Sequence, residues 1–391
     1  MKARKISEGV YMIGAVDWDR RLFDSLIPLP QGTSYNAYFV QGSEKCALLD
    51  SVDPVKWHEL EAQLGELPAP DYVICHHCEQ DHSGSLVNVL GKYPKAVVVT
   101  NEKCKNELID HLHISPDRFR VIADGESLSL GSKTLTFVFT PWVHWPETMC
   151  TWLEEDGILF TCDFFGSHLA TSDLFVNEAT VLPGAKRYYA EIFMPFATWV
   201  AKNLEKVAPY PAKLICPSHG PLYDRPAFIK DLYGEWASAA PKNLVTLAFV
   251  TMHDSTRIMV DHLTGALVER GVAVERFDLA VADSGELASS LVEAATVIIA
   301  TPTMLSGPHP LAAMAAFLAN ALKPKARYAA IIGSYGWGGR TVERLTEMMP
   351  NFKGELLEPL LVKGKPRAED LVALDGLAEA IAARHAGLEK R

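Results

Sequence analysis

Between positions 77 and 82 the chain reads His77-Cys78-Glu79-Gln80-Asp81-His82, directly behind the apolar run Tyr72-Val73-Ile74-Cys75. His77, Glu79, Asp81 and His82 carry imidazole and carboxylate ligand atoms within one hexapeptide. Groups packed that tightly repel or compete unless a cation organises them, so the cluster reads as a metal site. A solvated polar turn does not explain why an apolar strand runs straight into it. The four side chains need partners to close two coordination shells, and three later positions qualify. His144 lies in Trp142-Val143-His144-Trp145-Pro146, Asp163 in Thr161-Cys162-Asp163-Phe164-Phe165-Gly166, and His219 in Cys216-Pro217-Ser218-His219-Gly220, each just past a strand-like run. Ligands on loops at strand ends make a rim site on a rigid scaffold. Taken singly, His144 or His219 is an ordinary loop histidine; the upstream cluster is what gives them a role.

A second set of groups lies in the last third of the chain. Thr251, Met252, His253, Asp254, Ser255 and Thr256 follow a strand and open a helix, where hydroxyls and backbone N–H groups form a phosphate cradle. Thr301-Pro302-Thr303-Met304-Leu305-Ser306-Gly307 and Gly333-Ser334-Tyr335-Gly336-Trp337-Gly338-Gly339 each follow another strand. The glycines let the backbone approach a flat ligand, and Tyr335 and Trp337 offer stacking surface. Gly- and Ser-bearing loops occur in any doubly wound domain, so the first loop alone says little. The Gly-Ser-Tyr-Gly-Trp-Gly-Gly run is the specific part. There is no GxGxxG after a first strand to point to NAD.

The elements that must position these loops fall into two patterns. Through about residue 220, strands such as 134–139 and 157–160 alternate with loops and a few helices, and 185–207 reads as a helix bent at Pro195. A Pro- and polar-marked linker with a helical stretch to Trp236 spans 222–243. Beyond it, strands at 244–250, 272–278, 296–300, 327–333 and 355–362, with helices between and a last helix at 367–385, predict a doubly wound parallel sheet. The expected α/β domains are residues 1–240 and 241–391. The net charge of −11 argues against a nucleic-acid partner. No run of about eighteen apolar residues predicts a membrane span, and the basic start Met1-Lys2-Ala3-Arg4-Lys5 lacks the apolar core of a signal peptide. Seven scattered cysteines do not form a disulfide framework and fit a reducing cytoplasm.

His-x-Glu-x-Asp-His followed by His144, Asp163 and His219 resembles the flavodiiron protein family. So do Gly14-Ala15-Val16-Asp17-Trp18, Thr33-Ser34-Tyr35-Asn36-Ala37-Tyr38 and His144-Trp145-Pro146-Glu147-Thr148-Met149. The resemblance covers nearly the whole chain. It implies a metallo-β-lactamase-like αββα sandwich followed by a flavodoxin-like domain, in the two-domain class without a rubredoxin extension. It implies two irons per chain, one held by His77, Glu79 and His144, the other by Asp81, His82 and His219, with Asp163 bridging. Zinc hydrolases of that fold usually carry His where Glu79 stands, and a hard carboxylate favours iron. The resemblance further implies FMN at the three C-terminal loops and reduction of dioxygen to water or nitric oxide to nitrous oxide. Electrons would come from an external donor such as rubredoxin or a reduced deazaflavin, in a head-to-tail homodimer or a dimer of dimers. Two departures stand out. Residues 20–26 read Arg20-Arg21-Leu22-Phe23-Asp24-Ser25-Leu26, where many family members have a histidine near the open side of the irons. Asp254 replaces the usual glycine of the phosphate loop, and an acid beside a phosphate is unfavourable unless it points away. His76, next to the cluster, faces the opposite way from His77 and stays outside the ligand set. His168 either orients a carboxylate or sits on the surface, and His111 and His113 are structural. The competing readings are a zinc hydrolase with a flavodoxin-like appendage, and an electron carrier with a vestigial metal site.

Overall fold

The computed structural model describes residues 2–388; Met1 and residues 389–391, the outermost ends of the two expected domains, lie outside it. The chain forms two compact units, Met1–Tyr189 with Phe196–Ala237, and Ala190–Pro195 with Ser238–Arg391.

The first unit holds two sheets. One runs in the order Arg4–Ser7, Val10–Asp17, Thr33–Gln41, Cys46–Leu49, Tyr72–Ile74, Val97–Thr100, Phe119–Val121. It is antiparallel through Cys46–Leu49 and parallel thereafter. The other runs Ser127–Ser129, Thr134–Phe139, Met149–Leu153, Ile158–Cys162, Leu214–Pro217. Strand periodicity divides the first sheet between two cores. Met12, Tyr38, Val40, Leu49, Ile74 and Val99 meet Leu135, Phe137, Leu153, Ile158 and Phe160 of the second sheet. Ile13, Ala37, Phe39, Leu48, Val73 and Val98 pack instead with Trp57, Leu60, Leu64, Leu86, Val89 and Leu108 of the covering helices. The ligand loops leave the ends of strands buried on both faces, which fixes their starting points.

The expected bent helix at 185–207 differs in its start and in its break. It begins at Glu178, capped by the Asn177 side chain, which accepts from Ala179 and Thr180 N–H. Pro183 stands inside this helix, so proline did not mark its beginning. The interruption spreads over a π turn at Tyr189–Phe193 and a 3-10 turn at Met194–Phe196, before a second helix at Ala197–Val207. The expected helical stretch to Trp236 is Pro226–Ala237.

In the second unit the parallel order is Ala273–Asp278, Lys242–Phe249, Ala294–Met304, Tyr328–Tyr335, Glu355–Leu356. Helices Ser255–Glu269 and Ala368–His385 supply one face and Ser284–Leu291, Pro310–Leu322 and Thr341–Glu347 the other, giving the doubly wound fold. The expected strand 355–362 is two short pieces, Glu355–Leu356 and Leu360–Lys363, both paired with Tyr328–Tyr335. Pro359 removes a ladder donor between them.

His385 locks the last helix onto this sheet. It is buried, with Nε2 2.7 Å from Thr296 Oγ1 and Nδ1 2.8 Å from Asn243 Oδ1. Burial pushes its pKa down to about 4. The unfolded chain therefore binds this proton near pH 6.5 while the native state does not, so the unit loses stability as pH falls from 6.5 towards 4. The expected loss is about 2–3 kcal/mol over that window. Urea unfolding of His385→Gln, which keeps the polar contacts without titrating, should show a flatter pH dependence than the parent.

Candidate metal centre and flavin loops

The hexapeptide splits between a loop and a turn of helix. His77 and Glu79 leave strand Tyr72–Ile74, and Glu79 precedes the short helix Gln80–Ser83 that carries Asp81 and His82. Ser83 Oγ donates to Cys78 O at 2.6 Å, and Ser51 donates from N and Oγ to His82 O. Those bonds fix the helix against the strand end. His144 sits between Thr134–Phe139 and Met149–Leu153. Asp163 follows Ile158–Cys162 in a turn closed by Gly166 N–H on its own carbonyl, at 2.8 Å. His219 follows Leu214–Pro217, and Asn36 Nδ2 ties its loop by donating to Pro217 O and Gly220 O. Gly220 has φ +81, and a Cβ there would stand 2.1 Å from Ser167 Oγ, so only glycine fits.

All seven side chains converge on one rim. His77 Nε2 is 3.1 Å and His144 Nε2 3.2 Å from Glu79 Oε2, and they lie 3.6 and 3.4 Å from Asp163 Oδ2. Facing them, His82 Nε2 and His219 Nε2 lie 3.3 and 3.1 Å from Asp81, and 2.9 and 3.2 Å from Asp163 Oδ1. Ligand atoms bound at roughly 2.0–2.2 Å to a common ion stand about 3–3.5 Å apart, so each triad is spaced for one cation. Asp163 turns one oxygen to each triad. Both Asp81 oxygens and both His82 nitrogens are buried without a hydrogen-bond partner, which a cation would supply. The donor set of imidazoles and carboxylates suits iron.

Electrostatics agree. Burial alone would lower the pKa of His219, but Asp163 and Asp81 at its Nε2 raise it to about 10. His77, His82 and His144 are likewise raised by facing carboxylates against burial. Burial works against the charge on Glu79 and Asp163, yet the imidazoles hold both well below the carboxylate range. The pocket thus demands positive charge, as protons or as metal.

Outer contacts orient the imidazoles. His77 Nδ1 lies 2.6 Å from Glu147 Oε1, and His219 Nδ1 2.6 Å from Ser34 O, which leaves Nε2 of each turned to the centre. Tyr188 OH donates to Asp163 Oδ1 at 2.9 Å. Glu147 and Ser34 stand inside two of the motifs quoted above without a role of their own, and Tyr188 stands in none. Glu147 lies three residues beyond His144 at a strand entry, a signal that could have found it; Ser34 acts through its carbonyl and leaves none. His76 instead bonds Asp50 Oδ2 at 2.6 Å and Thr151 Oγ1 at 2.7 Å. His168 is buried, not on the surface: Nδ1 is 2.9 Å from Thr33 Oγ1 and its ring packs on Tyr188 and His219. His113 caps helix Glu102–Leu112 with φ 54. Residues 22–28 form a hairpin with Asp24 and Ser25 at its tip. Partial desolvation and then the charges of Glu79 and Asp81 raise the Asp24 pKa.

In the second unit the three loops leave neighbouring parallel strands at their C-terminal ends. Thr251, Met252 and His253 precede Asp254, which caps helix Ser255–Glu269 in the left-handed region, φ 62. That conformation explains why glycine is usual there, and Asp is among the residues that tolerate it. The Asp254 side chain is 76% exposed with Arg257 Nε 3.6 Å away, so it turns from the cradle. Thr251 Oγ1 is buried without a partner, and Thr256 is buried 3.5 Å from Ser334 Oγ. The second loop is shorter than expected: Thr301, Pro302, Thr303 and Met304 still belong to strand Ala294–Met304, which hairpins onto Gly307–Pro308. Its turn is Leu305 and Ser306, both at positive φ. In the third, Ser334 and Tyr335 end their strand and Gly336, Trp337 and Gly338 form the loop. Trp337 is 93% exposed. The unpartnered Thr251 hydroxyl, a helix N-terminus and open aromatic surface suit a phosphate-bearing flat cofactor.

The ODP family beta lactamase model matches residues 33–220. A nitric oxide reductase of Moorella thermoacetica is 34% identical, over 97% of this chain and 98% of its own. The solved rubredoxin oxygen:oxidoreductase of Desulfovibrio gigas superposes with a TM-score of 0.96 at 29% identity, covering 100% of both chains. A Giardia intestinalis structure of the same architecture gives a TM-score of 0.94 at 26% identity, over 100% of this chain and 98% of that one.

Proposed function

The chain belongs to the flavodiiron protein family, and from that premise we propose that His77, Glu79 and His144 hold one iron and Asp81, His82 and His219 the second, bridged by Asp163. The protein is an oxidoreductase that reduces dioxygen to water, nitric oxide to nitrous oxide, or both. The observation that carries the reading is the split carboxylate of Asp163, one oxygen toward each triad. FMN bound at the loops of the second unit would supply the electrons, and irons held by the two triads would supply the redox-active binding place for the substrate. The polypeptide does the rest. Glu147 and the Ser34 carbonyl hold imidazole N–H groups so that the free lone pairs face inward. Tyr188 steadies Asp163 and keeps a proton at Oδ1. The Trp145 ring packs edge-on against His77 at 4.9 Å and shields it.

For FMN, the proposed contacts are Thr251 to Thr256 at the phosphate, with Pro302 to Gly307 and Ser334 to Gly338 beside the ring. The proposed division is a diiron domain over 1–240 and an FMN domain over 241–391. We further propose a head-to-tail homodimer or dimer of dimers, and rubredoxin or a reduced deazaflavin as donor. No helix among the described residues is long and apolar enough to cross a membrane. The seven cysteines, all free and buried, support a cytoplasmic setting. A hydrolase with two zinc ions is not favoured, because Glu79 adds a hard ligand where such enzymes use histidine.

Metal analysis and a visible spectrum, with dioxygen and nitric oxide turnover, test this reading. About two irons and one FMN per chain are expected, with turnover that tracks iron. Stoichiometric zinc with almost no iron and undiminished turnover would overturn it.

A further inference from the structure

The second unit has a cleft of about 620 Å³ at the opposite end of its sheet from the flavin loops. Its walls are the segment from Lys323 to Arg327, which feeds strand Tyr328–Tyr335, and the segment from Asn351 to Glu355, which feeds Glu355–Leu356. Across an eight-residue strand at about 3.3 Å per residue, the cleft lies roughly 25 Å from those loops, too far to touch FMN.

The charge in the cleft runs against that of the molecule. The chain carries 37 Lys and Arg against 48 Asp and Glu, yet four cations, Lys323, Lys325, Arg327 and Lys353, line this one cleft with a single acid, Glu355. That acid is already engaged by Arg384, at 2.7 Å. Lys325 donates to Ala240 O at 3.3 Å. Lys323, Arg327 and Lys353 have no carboxylate partner among the described residues. Lys323 is held in place by the backbone, since it caps helix Pro310–Leu322 at φ 49. Clustered cations of one sign repel, and a concave low-dielectric wall focuses their field outward. The half-buried Phe352 gives the cleft one apolar wall. A volume of this size is that of a small-molecule site.

We propose that this cleft binds an oligophosphate. A chain of linked phosphates carries about three to four negative charges, enough to answer Lys323, Arg327 and Lys353 together, whereas a single phosphate, at about −1.5 to −2, does not. The phosphate chain could be free or carried by a nucleotide whose base would lie on Phe352. The site is independent of the redox centre and does not rest on the proposed reaction.

Calorimetric titration of the FMN-loaded protein with inorganic triphosphate and, separately, with ATP tests this. Saturable binding of triphosphate at low salt is expected, weakening steeply as salt rises past about 0.1 M, where the Debye length has fallen to about 10 Å. Equal affinity for the two ligands would assign binding to the phosphate chain, and tighter ATP would bring in the Phe352 wall. Lys323→Glu with Lys353→Glu should weaken triphosphate by at least ~30-fold, since two attractions become repulsions. The same double reversal at Lys103 and Lys230, in the other unit, should change it by less than about 3-fold. Flavin fluorescence followed during the titration should stay constant. No saturation by either ligand up to about 5 mM, equal losses in both double variants, or release of flavin on titration would each overturn the proposal.

Discussion

Asp163→Asn should lower iron content or turnover by at least ~10-fold while leaving bound flavin at the parent level. The carboxylate is 2% exposed and has Oδ1 2.9 and 3.2 Å from His82 and His219, and Oδ2 3.4 and 3.6 Å from His144 and His77. An amide of the same shape keeps one acceptor and turns the other into a donor. That donor faces either two imidazole nitrogens or the cation between them, and in both cases it repels. The negative charge that offsets two cations is lost as well. Tyr188 O–H bonds Oδ1, so the oxygen is expected to stay on that side and the damage to fall on the His77, Glu79 and His144 half. Iron assay, flavin absorbance and circular dichroism on the same sample separate the outcomes. A folded variant with full iron and full turnover would remove Asp163 from the ligand set.

The second large effect concerns pairing of subunits. His82→Ala should abolish turnover by opening one triad, and Trp337→Asp with Gly338→Val should abolish it by removing FMN. Gly338 sits at φ +99, where a β-branched residue is strained, and Trp337 offers the exposed aromatic face. If flavin of one subunit serves the iron of its partner, an equal mixture that has exchanged subunits should recover about one quarter of parent activity. Half of the dimers are mixed, and each has one intact flavin–iron pair. No recovery after exchange is demonstrated would assign electron transfer to a single chain and sink the head-to-tail proposal.

The contrast between what the sequence revealed and what it hid follows from range. His77, Glu79, Asp81 and His82 announce themselves because they are contiguous, and His144, Asp163 and His219 because each follows an apolar strand. The doubly wound unit was legible for the same reason, through regular β–α alternation. Contacts made by folding alone were not. Ser34 reaches His219 through its carbonyl, and Tyr188 reaches Asp163 from a helix whose start at Glu178 was masked by Pro183. For His168 burial excludes the surface, and its Nδ1 meets the Thr33 hydroxyl rather than a carboxylate. The hairpin at Leu22–Pro28 is too short for alternation to show, and the strand that continues to Met304 runs on past Pro302, where a loop was expected.

The proposed metal ligands do not all hang from one sheet. His77, Glu79, Asp81 and His82 issue from the C-terminal end of Tyr72–Ile74 in the first sheet, whereas His144, Asp163 and His219 follow strands of the second. Each triad therefore draws members from both layers. Two ions at that rim would act as rivets through a laminate: the apolar interior glues the layers over their faces, and the ions would clinch them along one border. Loading of the centre should therefore stiffen the whole sandwich and not the rim alone, while protonated imidazoles and the shared apolar core keep the layers together before the metal arrives.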